Sequence, residues 1–574
     1  MKVHGIQHSQ RARAALATVA LAAIVVLVGA PLVGSPRVVR LPAVLFPALA
    51  LTVMIVRPWK WPDWDAHATA WQPSTRHLGT AALVVGLSLF WYVLTRFQSG
   101  EINAVDFTVY FDRPCFQTVM GHPLFVEVSD TPGFSYRSEF ADHAYWGMLP
   151  ICALYAVSPT PLWLHAISAL AITFGAFYVL RIAQRLGMGG IIASAAAIAF
   201  ILNDNTARAL NYGFHPEVLY AWLVPWMLDA ALRGQRRVFV VAMLSCVLVK
   251  EDALLPIFAV SVALALHRWT AMTWAERRLF LFWPPAIAFA NLHLYYNYVV
   301  PMLTGAKGPS YAHFWANWGD TPELALLGML GHPWQVTAAV FTSGIGRVLM
   351  PFLFLPLVGW RFVLGIVPIV ALFGSSTNAQ LRDFGIYYPI VIVPFLAIAT
   401  TVGGLTAARP LTRSEGRAQV LAAVVIVLGS LLVGSWHRGY SLRPWKLEIA
   451  AVRESLAAFS GEGTILVQSG LFPHAGYESR FKLLTPETLS DPLNQGVPLL
   501  LAPRAGAYPF QRADVAELVL PKAARCTGNG IVVIKNSHLT KALLDRVLLN
   551  VPDPDVVKPP ELQEFEPGLT SRTD

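Results

Sequence analysis

Carboxylates are concentrated in one stretch of the chain between two apolar segments. Seven acidic and only two basic residues lie between positions 98 and 147, directly after the apolar run Leu78–Phe97. Because Lys and Arg avoid loops that are carried across a membrane, this composition predicts an outward-facing loop. A carboxylate held where a helix leaves the membrane can act as a general base or bind a cation. The acids are Glu101, Asp106, Asp112, Glu127, Asp130, Glu139 and Asp142, and the bases are Arg113 and Arg137.

Asp106 and Asp112 are the candidate general bases in this acidic loop. Asp106 follows soon after the end of a predicted membrane helix. A carboxylate at that position could take the proton of an acceptor hydroxyl while a sugar is displaced from a lipid phosphate. The alternative is that both aspartates belong to an ordinary solvated loop.

Glu139 and His143 are candidate metal ligands. If this stretch is helical, their side chains share a face one turn apart. A divalent metal could use them, although a single carboxylate–imidazole pair is a weak signal. No other cofactor is predicted.

Cationic and acidic side chains recur together at predicted outer helix ends. His215 and Glu217 flank a proline that suits a first helical turn, and a helix N-terminus favours anions such as phosphate. Alternatively, His215 simply caps the helix.

Lys250 is the only lysine between Lys60 and Lys307, and Glu251 and Asp252 follow it directly. A cation so isolated among apolar helices needs a partner or a ligand. The adjacent carboxylates could satisfy it structurally, or a lipid-linked phosphate could do so functionally. Arg382 is a further possible phosphate contact.

Several function classes lack sequence support. The chain contains no P-loop, GxSxG or HExxH motif and no GxGxxG in a βαβ context, so soluble-nucleotide chemistry is unsupported. The formal net charge of +9 comes largely from Arg clusters between helices, which indicate membrane topology rather than nucleic-acid binding. The four cysteines show no CxxC spacing, and Cys115 and Cys526 could both lie outside without being paired.

The elements that position these residues are membrane helices. Of the 574 residues, 55% are hydrophobic and 13% are charged, well below the ordinary charged fraction of soluble proteins. Apolar runs predict about 13 membrane segments, with the N-terminus inside. Lys250–Asp252 is predicted to form the outward turn between two short helices. The predicted segments are 14–34, 41–57, 78–97, 162–183, 188–203, 216–232, a pair within 238–267, 279–299, 346–359, 361–374, 386–404 and 418–436. Residues 143–157 are predicted to form a helix that lies on the outer surface or dips into it.

The C-terminal part changes character and is predicted to lie outside the membrane. Helical spacing at 446–459 and 539–549 and short strands at 464–468, 481–484, 518–520 and 531–534 predict a small α/β domain. The predicted organisation is an N-terminal two-span extension (1–77), a membrane domain (78–436) with the acidic outer loop (98–147), an α/β domain (437–550) and a disordered tail (551–574).

Ordered motifs along the chain resemble those of one known family. The segment from Asp112 to Pro123 resembles its acidic-loop motif, and His143 with the apolar stretch after it resembles a second motif. Segments 214–217 and 249–252 resemble its HPE and KED motifs. Segments 387–395, 451–457 and 471–474 resemble its late helix and its outer domain. A departure is Gly213, which stands where an acid usually precedes HPE.

These motifs resemble the family of predicted membrane proteins called domain of unknown function 2079, which is itself similar to the C-superfamily (GT-C) glycosyltransferases. The resemblance implies a mainly α, polytopic GT-C-like helical bundle, an acidic first outer loop and a polyprenyl-phosphate-linked sugar as donor. It maps the base best to Asp106, with Asp112 as second choice.

The resulting hypothesis is an inverting glycosyltransferase of the cytoplasmic membrane that acts at its outer face on an envelope glycan, lipid or protein acceptor. Lys250, His215 and Arg382 would contact the donor phosphate. One alternative is a lipid-linked-sugar flippase or small-solute transporter, and another is a non-catalytic membrane scaffold. The residues expected to support the phosphate contacts are Glu217, Glu251, Asp252 and His143.

Overall fold

Apolar helices make up most of the protein. The structure is a computed structural model that describes residues 71–102, 105–126, 138–305, 310–412, 414–436, 449–457 and most of 463–535. Within these ranges the predicted fold class is confirmed, because a mainly helical bundle is followed by a small α/β unit. The predicted segments 14–34 and 41–57, the predicted helix 539–549 and the tail 551–574 lie outside the described residues.

The described helices of the bundle lie between residues 75 and 436. In chain order, the α-helices and the first π-helix are α1 (Thr75–Gln98), the π-helix (Val105–Asp112), α2 (Arg113–Val119), α3 (Met148–Cys152), α4 (Leu162–Arg185), α5 (Gly190–Leu202), α6 (Asp204–Tyr212), α7 (Tyr220–Leu232), α8 (Arg236–Val247), α9 (Leu254–Arg268), α10 (Trp274–Arg277), α11 (Trp283–Leu294), α12 (Val300–Thr304), α13 (Pro322–Gly331), α14 (Pro333–Thr342), α15 (Ile345–Leu349), α16 (Trp360–Val363), α17 (Val367–Gly374), α18 (Ala379–Arg382), α19 (Val393–Ala408) and α20 (Glu415–Trp436). Two further π-helices span Arg278–Phe282 and Tyr295–Val299.

Length and apolar composition mark a subset of these helices as membrane spans. Among the described residues, Arg76–Gln98, Leu162–Arg185, Glu251–Ala271 and Glu415–Leu432 are long and apolar enough to cross a membrane. Two bent helix pairs raise this number to six if each pair is one span. The larger predicted number of segments stays a prediction.

Small residues allow the central helices to pack closely. A Cβ atom at Gly175 of α4 would lie 2.3 Å from the carbonyl oxygen of Ala221 in α7, so a larger residue there would push the two helices apart. Such small-residue contacts are typical of helices that associate within a membrane. The polar side chains Ser168 and Thr173 donate hydrogen bonds to the carbonyl oxygens four residues earlier, which satisfies them inside the apolar core.

The structure confirms one prediction about where helices break and contradicts another. The chain leaves α8 at Val247, and a 3₁₀ turn (Glu251–Ala253) leads into α9, so Lys250–Asp252 lies at a break between two helices, as expected. Its outward position stays a prediction. The prediction of one helix over 346–359 is wrong. Leu353 and Phe354 have φ angles of 52° and 57°, which an α-helix does not allow, and prolines precede and follow them.

In its described residues, the C-terminal unit combines helices with a mixed five-stranded sheet of order β2-β1-β3-β5-β4. Strand β1 runs parallel to β2 and β3, whereas β5 runs antiparallel to β3 and β4. The expected strands near 465, 481 and 531 and the helix near 450 are confirmed, whereas Leu518 is helical rather than extended. The elements are α21 (Ile449–Ala457), β1 (Ile465–Val467), β2 (Phe481–Leu483), α22 (Pro486–Ser490), β3 (Pro498–Leu501), β4 (Arg525–Thr527) and β5 (Ile531–Lys535).

Candidate functional site

Helix ends from distant parts of the sequence meet at one end of the bundle. The C-terminal ends of α1, α6 and α8 and the N-terminal ends of α7 and α9 converge there. They bring together charged and aromatic side chains that we call the ionic cluster. Its members are Asp106, Glu139, Asp142, His143, Tyr145, Tyr212, His215, Glu217, Tyr220, Lys250, Glu251, Asp252, Tyr311 and Tyr387.

Asp106 reaches the ionic cluster from the π-helix. Phe107 and Phe111 are buried and fix one side of the π-helix in the core of the bundle, while the neighbouring Asp106 is only half-buried. Its Oδ2 accepts a hydrogen bond from the hydroxyl of Tyr212. The π-helix conformation is uncommon and is frequently found at functional sites. The carboxylate is therefore both held in place and accessible.

The ring of Tyr387 lies between Tyr212, which binds Asp106, and His215. The ring centroids of Tyr212 and Tyr387 are 5.2 Å apart, and His215 stacks on Tyr387 with centroids 3.7 Å apart. Tyr387 follows two non-glycine residues with positive φ, Phe384 at 50° and Ile386 at 43°. Such strained backbone clusters at functional sites, so its presence here supports a functional role for this turn.

Gly213 allows the end of α6 to lie close to the π-helix. Its φ angle is 106°, and a Cβ there would lie 3.1 Å from Cγ2 of Ile102 and 3.2 Å from Cβ of Phe107. An acidic side chain, expected from the motif, would meet the same atoms. Glycine therefore suits both the backbone conformation and the limited space.

Gly213→Ala is expected to destabilise the protein by about 1–3 kcal/mol, because strain and overpacking act together. Gly187→Ala is the matched control, since Gly187 also has a positive φ of 82° but open space around it. Thermal unfolding in detergent should show a larger loss for Gly213→Ala. Equal losses would show that packing against Phe107 contributes nothing.

Glu217 joins the histidine and the lysine of the two sequence motifs. His215 donates from Nδ1 to Oε2 of Glu217, and Nζ of Lys250 lies 2.6 Å from Oε1 of the same carboxylate. All three side chains are buried. Lys250 also lies beside Tyr145, with Nζ 5.8 Å from the ring centroid. This pairing supports the structural alternative for Lys250, yet its ammonium keeps two N–H donors beyond the one given to Glu217.

Glu251 and Asp252 are held by separate partners. Oε1 of Glu251 accepts hydrogen bonds from Nδ1 of His143 at 2.8 Å and from the hydroxyl of Tyr311 at 2.6 Å. Its Oε2 accepts from the backbone N–H of Ala144 at 2.8 Å. Asp252 accepts from the hydroxyl of Tyr220 at 2.8 Å. These bonds attach the acidic loop to the start of α9.

Glu139 and His143 do not adopt the helical arrangement expected for metal ligands. Glu139 begins a 3₁₀ turn that ends at Ala141, and His143 faces Glu251 instead of Glu139. Across the described part of the chain, no group of three or more His, Cys, Asp or Glu side chains is arranged to hold a metal ion. Burial, reinforced by the charges of Asp142 and Asp106 and opposed by that of Lys250, raises the pKa of Glu139 well above its usual value.

Asp112 lies on the opposite side of the π-helix and contacts the C-terminal unit. Its Oδ1 accepts hydrogen bonds from the hydroxyls of Tyr155 at 2.7 Å and Tyr477 at 3.0 Å. The adjacent Arg113 donates to the carbonyl oxygens of Gly476 and Glu478. These contacts make Asp112 an anchor between the α/β unit and the bundle, which leaves Asp106 as the better-placed candidate base.

Burial raises the pKa of Asp112 to about 6, although its hydrogen bonds to Tyr155 and Tyr477 and the charge of Arg113 oppose the shift. Its usual pKa is about 3.9. Between these values the folded protein keeps a proton that the unfolded chain has lost, so the contribution of Asp112 to stability falls as pH rises towards 6 and is constant above it.

Asp112→Asn should therefore gain stability relative to the wild type as pH rises through this window, by up to about 3 kcal/mol. Asparagine can still accept both tyrosine hydrogen bonds. Unfolding measured in detergent at a series of pH values provides the test. If the difference in unfolding free energy between the wild type and the variant does not change between about pH 4 and pH 6, the raised pKa of Asp112 is contradicted.

The structure also shows the surroundings of Arg382, the pairing of the cysteines and the role of several tyrosines. Arg382 is partly buried and forms no ion pair with any described carboxylate, whereas its neighbour Asp383 pairs with Arg347 at 3.3 Å. Cys115 pairs with Cys152 in a disulfide, a pairing that the sequence left open. The tyrosines that connect the ionic cluster were missed, although several lie within or beside the motifs. They are Tyr145, Tyr212, Tyr220, Tyr311 and Tyr387.

Together these observations define a polytopic helical membrane protein that carries a buried ionic cluster at one end of its bundle. The chain belongs to the family of predicted membrane proteins, domain of unknown function 2079, whose model matches residues 96–459. No curated protein matches the chain.

Two solved structures with some similarity to the chain are those of ArnT and of an arabinofuranosyltransferase. The crystal structure of ArnT from Cupriavidus metallidurans bound to undecaprenyl phosphate is 13% identical, covers 82% of this chain and 99% of its own, and has a TM-score of 0.43. The cryo-EM structure of the arabinofuranosyltransferase AftD from Mycobacteria is 16% identical, with a TM-score of 0.42. That match covers 81% of this chain and 40% of AftD.

Proposed function

We propose that the protein transfers a sugar from a polyprenyl-phosphate donor to an acceptor at the outer face of the cytoplasmic membrane. The observation that carries this proposal is the contact chain from Asp106 through Tyr212, Tyr387, His215 and Glu217 to Lys250. It places an accessible carboxylate and a buried cation in one cluster. A base for the acceptor hydroxyl and a cation for the leaving phosphate would both assist such a transfer.

Asp106 would act as the general base. A carboxylate removes the proton of the acceptor hydroxyl as the oxygen attacks the anomeric carbon and the bond to the phosphate oxygen breaks. The hydrogen bond from Tyr212 would orient the carboxylate for that transfer. Attack from the face opposite the leaving phosphate inverts the configuration of the sugar.

Lys250 and His215 would stabilise the charge that builds on the leaving phosphate. Such electrostatic contacts often make the largest contribution to catalysis. Lys250 can donate to a phosphate oxygen while it stays paired with Glu217, and Nε2 of His215 is the ring nitrogen not directed at Glu217. Arg382 is proposed as an outer contact of the donor phosphate.

The Cys115–Cys152 disulfide supports the proposed orientation. Disulfides persist in oxidising compartments outside the cytoplasm. Both cysteines lie in or directly after the acidic loop, close to the ionic cluster. The cluster and the C-terminal unit, which contacts Asp112, are therefore proposed to face outward.

Reconstitution tests the activity. Purified protein in liposomes is supplied with polyprenyl-phosphate sugars and an envelope extract, and the expected result is a glycosylated product together with free polyprenyl phosphate. Movement of the lipid-linked sugar across the bilayer without product would support a flippase instead. Neither product nor movement, with unchanged envelope glycans in cells that lack the protein, would support a scaffold.

A further inference from the structure

The end of the bundle opposite the ionic cluster carries an open basic cleft. A cavity of about 260 Å³ is lined by Arg185, Leu232, His267 and Arg268. These residues belong to the C-terminal ends of α4, α7 and α9, whose N-terminal ends lie towards the ionic cluster. We call this cavity the arginine cleft. No part of the proposed sugar transfer uses it.

Positive charge exceeds negative charge around the arginine cleft. Asp229 is fully buried at its edge and is shared by three arginines, with Nε of Arg185 at 2.7 Å, Nη2 of Arg233 at 2.9 Å and Nη2 of Arg181 at 3.8 Å. One carboxylate cannot neutralise three guanidinium groups. Arg268 adds a fourth guanidinium group at the cleft, and the nearby acid Glu276 interacts with Arg236 as well as with Arg268.

The guanidinium groups on the cleft keep donors for a ligand. Arg268 donates from Nη1 to the carbonyl oxygen of Leu232 at 2.8 Å, and Arg185 directs Nε to Asp229. A guanidinium has five N–H donors, and its fork geometry matches phosphate oxygens. The Arg185 side chain is 34% exposed, so these donors are reachable.

The depth of the cleft points to a lipid headgroup. The 24 residues of α4 extend about 36 Å, slightly more than the hydrocarbon thickness of about 30 Å, so Arg185 lies at headgroup level if α4 spans the membrane. Trp269 and Trp274 beside the cleft are 42% and 58% exposed, as expected for an aromatic belt at the membrane surface. The guanidinium of Arg277 lies 4.4 Å from the Trp269 ring centroid.

We propose that the arginine cleft binds the phosphate of an anionic phospholipid in the leaflet opposite the ionic cluster. Basic pockets between membrane helices bind phosphate headgroups in this way. The general preference of arginines for the inner membrane surface accounts for their presence but not for their convergence around one cavity and one buried carboxylate. This site does not depend on the proposed sugar transfer.

The test uses the purified full-length protein in neutral detergent. Phosphatidylglycerol, phosphatidylcholine with the same acyl chains, and inorganic phosphate are titrated separately, and the unfolding midpoint and the retained lipid are measured. Phosphatidylglycerol should raise the midpoint and remain bound. Arg185→Gln should weaken this binding about tenfold, because one charge-assisted contact is lost. Arg185→Lys should keep more of it than Arg185→Gln.

Arg409→Gln is the matched control at the same end of the bundle, because Arg409 is exposed and already pairs with Glu415 at 3.0 and 2.9 Å. It should bind phosphatidylglycerol as the wild type does. Equal stabilisation by phosphatidylcholine, or unchanged phosphatidylglycerol binding in Arg185→Gln, overturns the proposal. Stabilisation by inorganic phosphate equal to that by phosphatidylglycerol would assign the cleft to a soluble anion and refute the lipid.

Discussion

Asp106→Asn is expected to lower the rate of sugar transfer by about 10²- to 10⁴-fold, the usual contribution of a positioned general base. The amide cannot take a proton from the acceptor, but its oxygen can still accept the hydrogen bond from Tyr212. The fold should therefore be retained. Turnover in liposomes, measured at saturating donor, and unfolding in detergent together provide the test.

Two other carboxylate variants make this experiment specific. Asp320→Asn changes an exposed carboxylate in another loop and should leave turnover unchanged. Asp112→Asn should lose far less activity than Asp106→Asn, because Asp112 contacts Tyr155 and Tyr477 on the other side of the π-helix. Full activity in Asp106→Asn would remove this residue from the mechanism, and equal losses in both variants would leave the base unassigned.

Lys250→Met is expected to abolish transfer and also to destabilise the protein by about 3–5 kcal/mol, because it leaves the buried charge of Glu217 without its ammonium partner. Activity loss alone would therefore not show that Lys250 contacts the donor phosphate. The stability effect must be separated from the effect on transfer.

The double variant Lys250→Met with Glu217→Gln makes that separation. It removes both charges of the pair, so most of the lost stability should return. Transfer should stay absent, since no ammonium is available for the leaving phosphate. Recovery of activity together with stability would mean that Lys250 serves the fold alone.

The pairing of Lys250 with Glu217 also suggests why both motifs occur in one chain. Thirty-three residues separate them, yet their side chains meet at 2.6 Å. A buried lysine and a buried glutamate would each be costly alone, and together they provide a fixed cation at the edge of the core. Under the proposed function, the same ammonium then serves the donor.

The sequence by itself determined the helical bundle, the break at Lys250–Asp252 and three of the strands in the C-terminal unit. Hydrophobic periodicity and charge placement are local properties, and a run of apolar residues ended by charged ones predicts a membrane helix. Composition also singled out the acidic loop, and chemistry-bearing residue types within motifs singled out His215, Glu217 and Lys250.

Only the tertiary structure decided how these residues combine. No local pattern in the sequence specifies which helix ends meet. Their meeting determines the different surroundings of Asp106 and Asp112, the Cys115–Cys152 pairing and the tyrosine contacts. The break of the predicted helix 346–359 shows the same limit, because its apolar residues fit a span whereas two positive φ angles divide it. Hydrophobicity determines that a segment is buried, while the shape of its neighbours determines where each side chain points.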